Sequence, residues 1–172
     1  MADKKVIEDT LAIPDGITLS ISNEGAVLVS GKKGKVQKTI KLRGVKLSVA
    51  GKEVKASGAM RELNTAMAHI KNMIHGCKEG YVFHMTVVHA HFPMSVQAAG
   101  NQVSIKNFIG EKKPRFAQIA GDTKVEVKGA SITVSGPSKE DVGQTVANLR
   151  RATKIRNLDS RIFQDGIYPA RE

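Results

Sequence analysis

The chain has 172 residues, with 27 lysines and arginines against 16 acids and a formal charge of +11. Such an excess costs self-repulsion unless a polyanion neutralises it, which points to nucleic acid, an anionic membrane surface or an acidic protein. One cysteine, Cys77, excludes an internal disulfide framework and a zinc finger.

Five Phe, two Tyr and no Trp are too few for the rows of stacking platforms that grip single strands, so a duplex or folded junction suits the chain better. No apolar run approaches the roughly 20 residues that span a bilayer. The opening MADKKVIEDTLAIP lacks the apolar core and cleavage site of a secretory signal, so a cytoplasmic location is expected.

From Gly16 to Ser57, apolar residues alternate with others in short runs separated by Gly, Asn and Lys turns, the pattern of half-buried antiparallel strands. Between Glu24 and Glu53 lie eight basic residues and no acid: Lys32, Lys33, Lys35, Lys38, Lys41, Arg43, Lys46 and Lys52. Such lysines either guard edge strands or form a binding face for an acidic partner.

From Gly58 the spacing becomes helical, with Leu63, Ala66, Met67, Ile70, Met73 and Ile74 on one face. Gly76 stands where a helix C-terminal glycine belongs, with Cys77 just after the helix end.

The same order recurs downstream. Residues 82–88, 95–98, 103–108, 116–119, 125–127 and 132–134 read as strands, and 138–153 takes helical spacing through Val142, Val146, Leu149 and Ala152. Ser138 with Asp141 three residues on fits a helix N-cap. Val29-Ser30-Gly31 matches Val134-Ser135-Gly136 at an offset of 105. The expectation is an α+β chain of two tandem duplicated domains, 1–79 and 80–172, each an antiparallel-rich sheet packed against one long helix.

Positive charge in the second half gathers in two places. One is the loop in NFIGEKKPRFAQ, which carries Lys112, Lys113 and Arg115; the other is Arg150, Arg151, Lys154, Arg156 and Arg161 at a helix C-terminal end and beyond. Cations suit a helix C-terminus, but five in twelve residues against Asp159 alone exceed what a dipole requires. The pattern points to a phosphate-contacting surface, in which arginine forks bind bidentately.

Sites for chemistry do not emerge. His89 and His91 would share one face of a strand and His84 the other, with no carboxylate or cysteine close by, and they read as strand or interface histidines. GKKGK at 31–35 lacks phosphate-loop spacing, and no nucleophile elbow or paired acids can be picked out. No catalytic residue, metal, cofactor or small-molecule substrate is expected. A small RNA-processing enzyme is disfavoured for the same reason.

NFIGEKKPRF, KEDVGQTVANLRRATKIR and DSRIFQDGIY together resemble the large-subunit ribosomal protein six family, in its archaeal and eukaryotic branch, and more closely its archaeal form. The similarity extends through the VLVSGKKGKV hairpin and the RELNTAMAHIKNMIHG helix, except that Lys32 stands where the family often has proline. The resemblance implies a structural constituent of the large subunit. Its second domain would bind large-subunit rRNA near the sarcin-ricin loop and the stalk base, beside neighbouring ribosomal proteins and docking translational GTPases.

It also implies RNA contacts at Asn107, Gly110, Lys112, Lys113 and Arg115, and at Gln144, Asn148, Arg151, Lys154, Arg156, Arg161 and Tyr168. Asp165 and Ile167 of the matching ending equally suit a tail packed back on the domain. A-form RNA hides its base edges, so such a protein reads phosphates, 2′-hydroxyls and junction shape.

Overall fold

The computed structural model describes residues 6–22, 25–40, 44–51, 53–90, 92–159 and 161–170. Lys41, Arg43, Lys52 and His91 lie outside the described residues. The chain divides into two units, Met1–Gly80 and Tyr81–Glu172. Among the described residues no helix is long and apolar enough to cross a membrane.

In the first unit the strands are β1 (Val6–Ala12), β2 (Thr18–Ile21), β3 (Ala26–Gly31), β4 (Gly34–Thr39), β5 (Lys46–Ala50) and β6 (Glu53–Ala59), followed by helix α1 (Met60–Lys78). They form two antiparallel sheets in the orders β1-β6-β5 and β2-β3-β4. Alternation works as expected: Val27 and Val29 of β3 and Val54 and Ala56 of β6 face inward, buried, while their neighbours face out.

Helix α1 covers this layer with the face read from its spacing, as Leu63, Ala66, Met67, Ile70, Met73 and Ile74 are all buried. It runs one turn further than Gly76 suggests. Gly76 and Cys77 are buried within its last turn, and the left-handed glycine beyond the end is Gly80, at φ 82°. Tertiary packing overrides the local signal, because the end of the helix lies against β3, where the Cys77 thiol meets the Val29 carbonyl oxygen at 3.4 Å. Burial pushes that thiol's pKa up, as suits an unreactive packing residue.

The second unit repeats the order: β7 (Tyr81–Val88), β8 (Ser95–Ala99), β9 (Gln102–Lys106), β10 (Arg115–Gln118), β11 (Lys124–Lys128), β12 (Ser131–Gly136) and α2 (Lys139–Ala152). It adds β13 (Gly166–Pro169), a strand where the sequence pattern predicts only a tail. The sheets run β10-β9-β8 and β11-β12-β7-β13, which is the first unit's pattern with one strand more. Val142 and Leu149 of α2 are buried in a core with Met85, Ile105, Phe108, Ile132, Val134 and Ile167.

Topology supports the duplication and corrects its alignment. β3 corresponds to β9, and β6 to β12, the strand that enters the helix in each unit. Val27 and Val29 therefore match Val103 and Ile105 in position and burial, and Val54 and Ala56 match Ile132 and Val134. The Val-Ser-Gly letters shared at an offset of 105 join β3 to β12, which occupy different places in the repeat. Both strands end in glycine where a helix packs closely, so similar local constraints produced similar letters.

The two helices begin differently. Ala59 provides no side-chain cap to α1, whereas the Ser138 hydroxyl accepts the Asp141 N–H at 3.2 Å, with Glu140 and Asp141 in the first turn of α2. Replacing Ser138 by alanine is expected to cost about 1 kcal/mol. Urea unfolding of the full chain, monitored through the second unit, would show it, and an unchanged midpoint would remove the cap from the account.

Candidate nucleic-acid interface

The connection from β9 to β10 is built on backbone that side chains rarely adopt. Asn107, Ile109 and Gly110 have φ of 59°, 50° and 73°. Asparagine and glycine tolerate this region, but a β-branched isoleucine there costs about 1–3 kcal/mol and persists where its surroundings over-determine it. Three contacts do so. Phe108 is buried in the core, the Asn107 side-chain amide donates to the Pro93 carbonyl oxygen at 2.9 Å, and the Glu111 N–H donates to the Phe108 carbonyl oxygen at 3.0 Å.

Gly110 faces the Phe92 ring so closely that a Cβ there would lie 3.3 Å from it. The consequence is a rigid turn with Lys112 and Lys113 exposed at its tip. Neither lysine has an ion pair among the described residues.

Arg115 holds this loop to the helix. Its Nε donates to Glu111 Oε2 at 2.8 Å and its Nη2 to Glu111 Oε1, a bidentate pair. Its Nη1 donates to the carbonyl oxygens of Ala152 at 2.8 Å and Lys154 at 3.2 Å, and the guanidinium lies 4.3 Å from the centroid of the Phe108 ring. Ala152 closes α2 and Lys154 lies just beyond it, so the cation fork satisfies acceptors at and past the C-terminal end of the helix. Arg115, expected as a phosphate contact, thus has most of its donors engaged within its own unit. Its donors meet Glu111 and the helix end, which ties the loop to α2.

Gln144 and Asn148 are also linked within the unit. The Gln144 amide donates to Asn148 Oδ1 at 2.9 Å, and the Asn148 amide donates to the Gln118 carbonyl oxygen at 2.9 Å, tying α2 to β10. Beneath them, the buried Thr145 hydroxyl accepts the Ala120 N–H at 3.0 Å. Asn107 and Asn148 therefore shape the surface through their amide donors.

Beyond α2, Arg151, Lys154 and Arg156 are exposed, and none of their side chains forms an ion pair among the described residues. Arg161 is exposed but held by Asp159, its Nη2 lying 3.0 Å from Asp159 Oδ2. Hydrogen bonds from Arg161 lower the Asp159 pKa in turn. The tail then turns back. Asp165 is buried and accepts the Ala90 N–H at 2.6 Å, Ile167 is buried with its N–H donated to Thr153 Oγ1 at 3.2 Å, and Tyr168 is exposed on β13 opposite Thr86.

Two exposed aromatics beside the loop went unnoticed in the sequence. Phe92 abuts Gly110, and Phe116 projects from β10 opposite Ser104 with 59% of its surface exposed. The alternation of Phe116 with the buried Ala117 was the signal that could have found it. His84 is exposed on β7 beside Thr133, and among the described residues no cluster could hold a metal ion.

Hydrogen bonding from Arg115, more than its charge, holds the Glu111 carboxyl below its ordinary pKa of 4.5. A depressed folded pKa means the pair stabilises fully above the ordinary value and is lost as pH falls through the lowered one. Arg115→Lys, which cannot fork onto both acceptors, is expected to cost about 1–3 kcal/mol at neutral pH. The stability gap between Glu111→Gln and the parent chain should close on acidification below about pH 4. Thermal unfolding across pH measures both, and a gap independent of pH would remove the ion pair from the account.

The family model described as "Ribosomal protein L6" matches residues 92–166, which span the loop, α2 and the tail. Over nearly the whole chain, the sequence is similar to proteins named "Large ribosomal subunit protein uL6". The one from Methanosarcina mazei is 46% identical over 170 residues, 95% of this chain and 96% of that protein. Those from Methanothrix thermoacetophila and Archaeoglobus fulgidus are 43% and 42% identical, covering 92% and 94% of this chain and 93% and 87% of theirs.

Proposed function

Because the chain belongs to the ribosomal protein L6 family, we propose that it is a structural constituent of the large ribosomal subunit in the cytoplasm, holding large-subunit rRNA through its second unit. The two units act as separate domains, joined at Gly80. The observation that carries the reading is the free charge at Lys112, Lys113, Arg151, Lys154 and Arg156, set on either side of the Arg115 bracket.

The bracket fixes the loop base and the helix end to one another, so cations on both flanks meet the RNA in a set geometry with little ordering cost. Phosphate contacts of this kind position a protein on folded RNA without reading its sequence. The Asn107 and Gly110 backbone shapes the loop, Gln144 and Asn148 present polar edges from the helix, and the Tyr168 ring offers a stacking or 2′-hydroxyl contact. Arg161 contributes less than the other cations, since Asp159 neutralises it locally.

Within the subunit, the proposed contact lies near the sarcin-ricin loop and the stalk base, among neighbouring ribosomal proteins and beside the docking surface of translational GTPases. The role is support of that region rather than catalysis.

Binding of the full chain to deproteinised large-subunit rRNA should weaken steeply with salt, by roughly 0.7–0.9 log units per log unit of salt for each phosphate neutralised. The triple variant Arg151→Ala, Lys154→Ala, Arg156→Ala should lower that slope by about 2 or more. A flat salt response in the parent chain would sink the electrostatic account.

A further inference from the structure

In the first unit, the connection from β3 to β4 occupies the place that the basic loop occupies in the second unit between β9 and β10. It is a two-residue hairpin: Gly31 pairs with Gly34, and Lys32 and Lys33 form the turn. A lysine pair therefore stands at the tip of the same connection in both units, Lys32-Lys33 in one and Lys112-Lys113 in the other.

The two tips are also fastened to the same part of their helices. In the second unit, the Arg115 guanidinium binds the carbonyl oxygen of Ala152, the last residue of α2, and that of Lys154 just beyond it. In the first, the Lys33 N–H donates to the Cys77 carbonyl oxygen at 3.1 Å, at the end of α1. This approach requires Gly31, since a Cβ there would lie 2.7 Å from the Cys77 oxygen and 3.1 Å from its carbonyl carbon. The backbone is thus held rigidly. The side chains of Lys32, Lys33 and Lys35 are exposed, without an ion pair among the described residues.

We propose that the Gly31–Gly34 hairpin is a second phosphate-binding tip, through which Lys32, Lys33 and Lys35 place the first unit on folded RNA. The inference rests on reading the loop at 107–115 as an RNA contact. A preorganised backbone carrying unpaired cations, with no acid between Glu24 and Glu53, suits the phosphate lattice of an RNA duplex. Lysine acts there as a point charge and arginine as a fork, so this tip tolerates a wider range of phosphate geometry than the second unit's arginines do. The competing role is protection of β4, which is an edge of its sheet and a place where lysines discourage strand pairing.

The test uses the full chain and deproteinised large-subunit rRNA, comparing the triple variant Lys32→Ala, Lys33→Ala, Lys35→Ala with a control of equal charge loss, Lys46→Ala, Lys55→Ala, Lys71→Ala. The hairpin variant is expected to lower the slope of log affinity against log salt by about 2, the control by less than about 1. Equal slopes for hairpin variant and parent, or aggregation of the hairpin variant with RNA affinity unchanged, would overturn the proposal in favour of edge protection. A parent chain with no salt-dependent binding, or one unaffected by loss of Arg151, Lys154 and Arg156, would instead indict the second-unit reading.

A photoreactive residue at position 32, in large subunits assembled with the full chain, gives an independent readout. Crosslinks to rRNA support the proposal, and crosslinks confined to protein overturn it in favour of an acidic protein partner.

Discussion

The candidate surface depends on one guanidinium group. Arg115 binds Glu111 within its own loop and the carbonyls of Ala152 and Lys154 at the end of α2, while stacking on the buried Phe108. A helix end leaves carbonyls that must be satisfied, and a loop with Ile109 at positive φ must be held in place. One side chain meets both requirements, so its hydrogen bonds help to offset both the strain of the loop and the open end of the helix. Lysines and arginines on both flanks inherit a fixed spacing that their own flexible stems could not supply.

The first unit meets the same requirement by another route. There the backbone N–H of Lys33 satisfies the Cys77 carbonyl directly, which is possible because Gly31 has no Cβ to block the approach. A tight two-residue hairpin can reach the helix with its own backbone, whereas the longer connection at 107–114 needs a long side chain to span the distance. Duplication kept the topology and the joint between hairpin and helix end. The chemistry of that joint changed with the length of the connection.

Charge and shape then separate the roles of residues that look alike in sequence. Arg115 and Arg161 are engaged by Glu111 and Asp159, whereas Lys112, Lys113, Arg151, Lys154 and Arg156 have no ion partner among the described residues. An exposed ion pair contributes little to stability, and the Arg161–Asp159 pair acts chiefly to mute a positive charge. The family ending divides similarly. Asp165 and Ile167 are turned inward to seat β13 against β7, and Tyr168 is left facing out by the alternation of the strand.

Much of this was legible in the chain itself. The buried face of α1, the Ser138 cap, the alternating strands, the α+β duplication and the location of the basic clusters follow from periodicity, capping chemistry and composition, which act between near neighbours. The motifs at 107–116, 139–156 and 159–168 also carry enough specific order to reveal the family. Other features were decided in three dimensions: the last turn of α1 past Gly76, the pairing of β13, the true register of the repeat, and the inward turn of Arg115. Each depends on partners far apart in sequence, such as Cys77 with Val29 or Arg115 with Ala152. Local pattern determines which residues can bury, cap or carry charge, but which acceptor claims a given donor is settled by distances that exist only once the chain has folded.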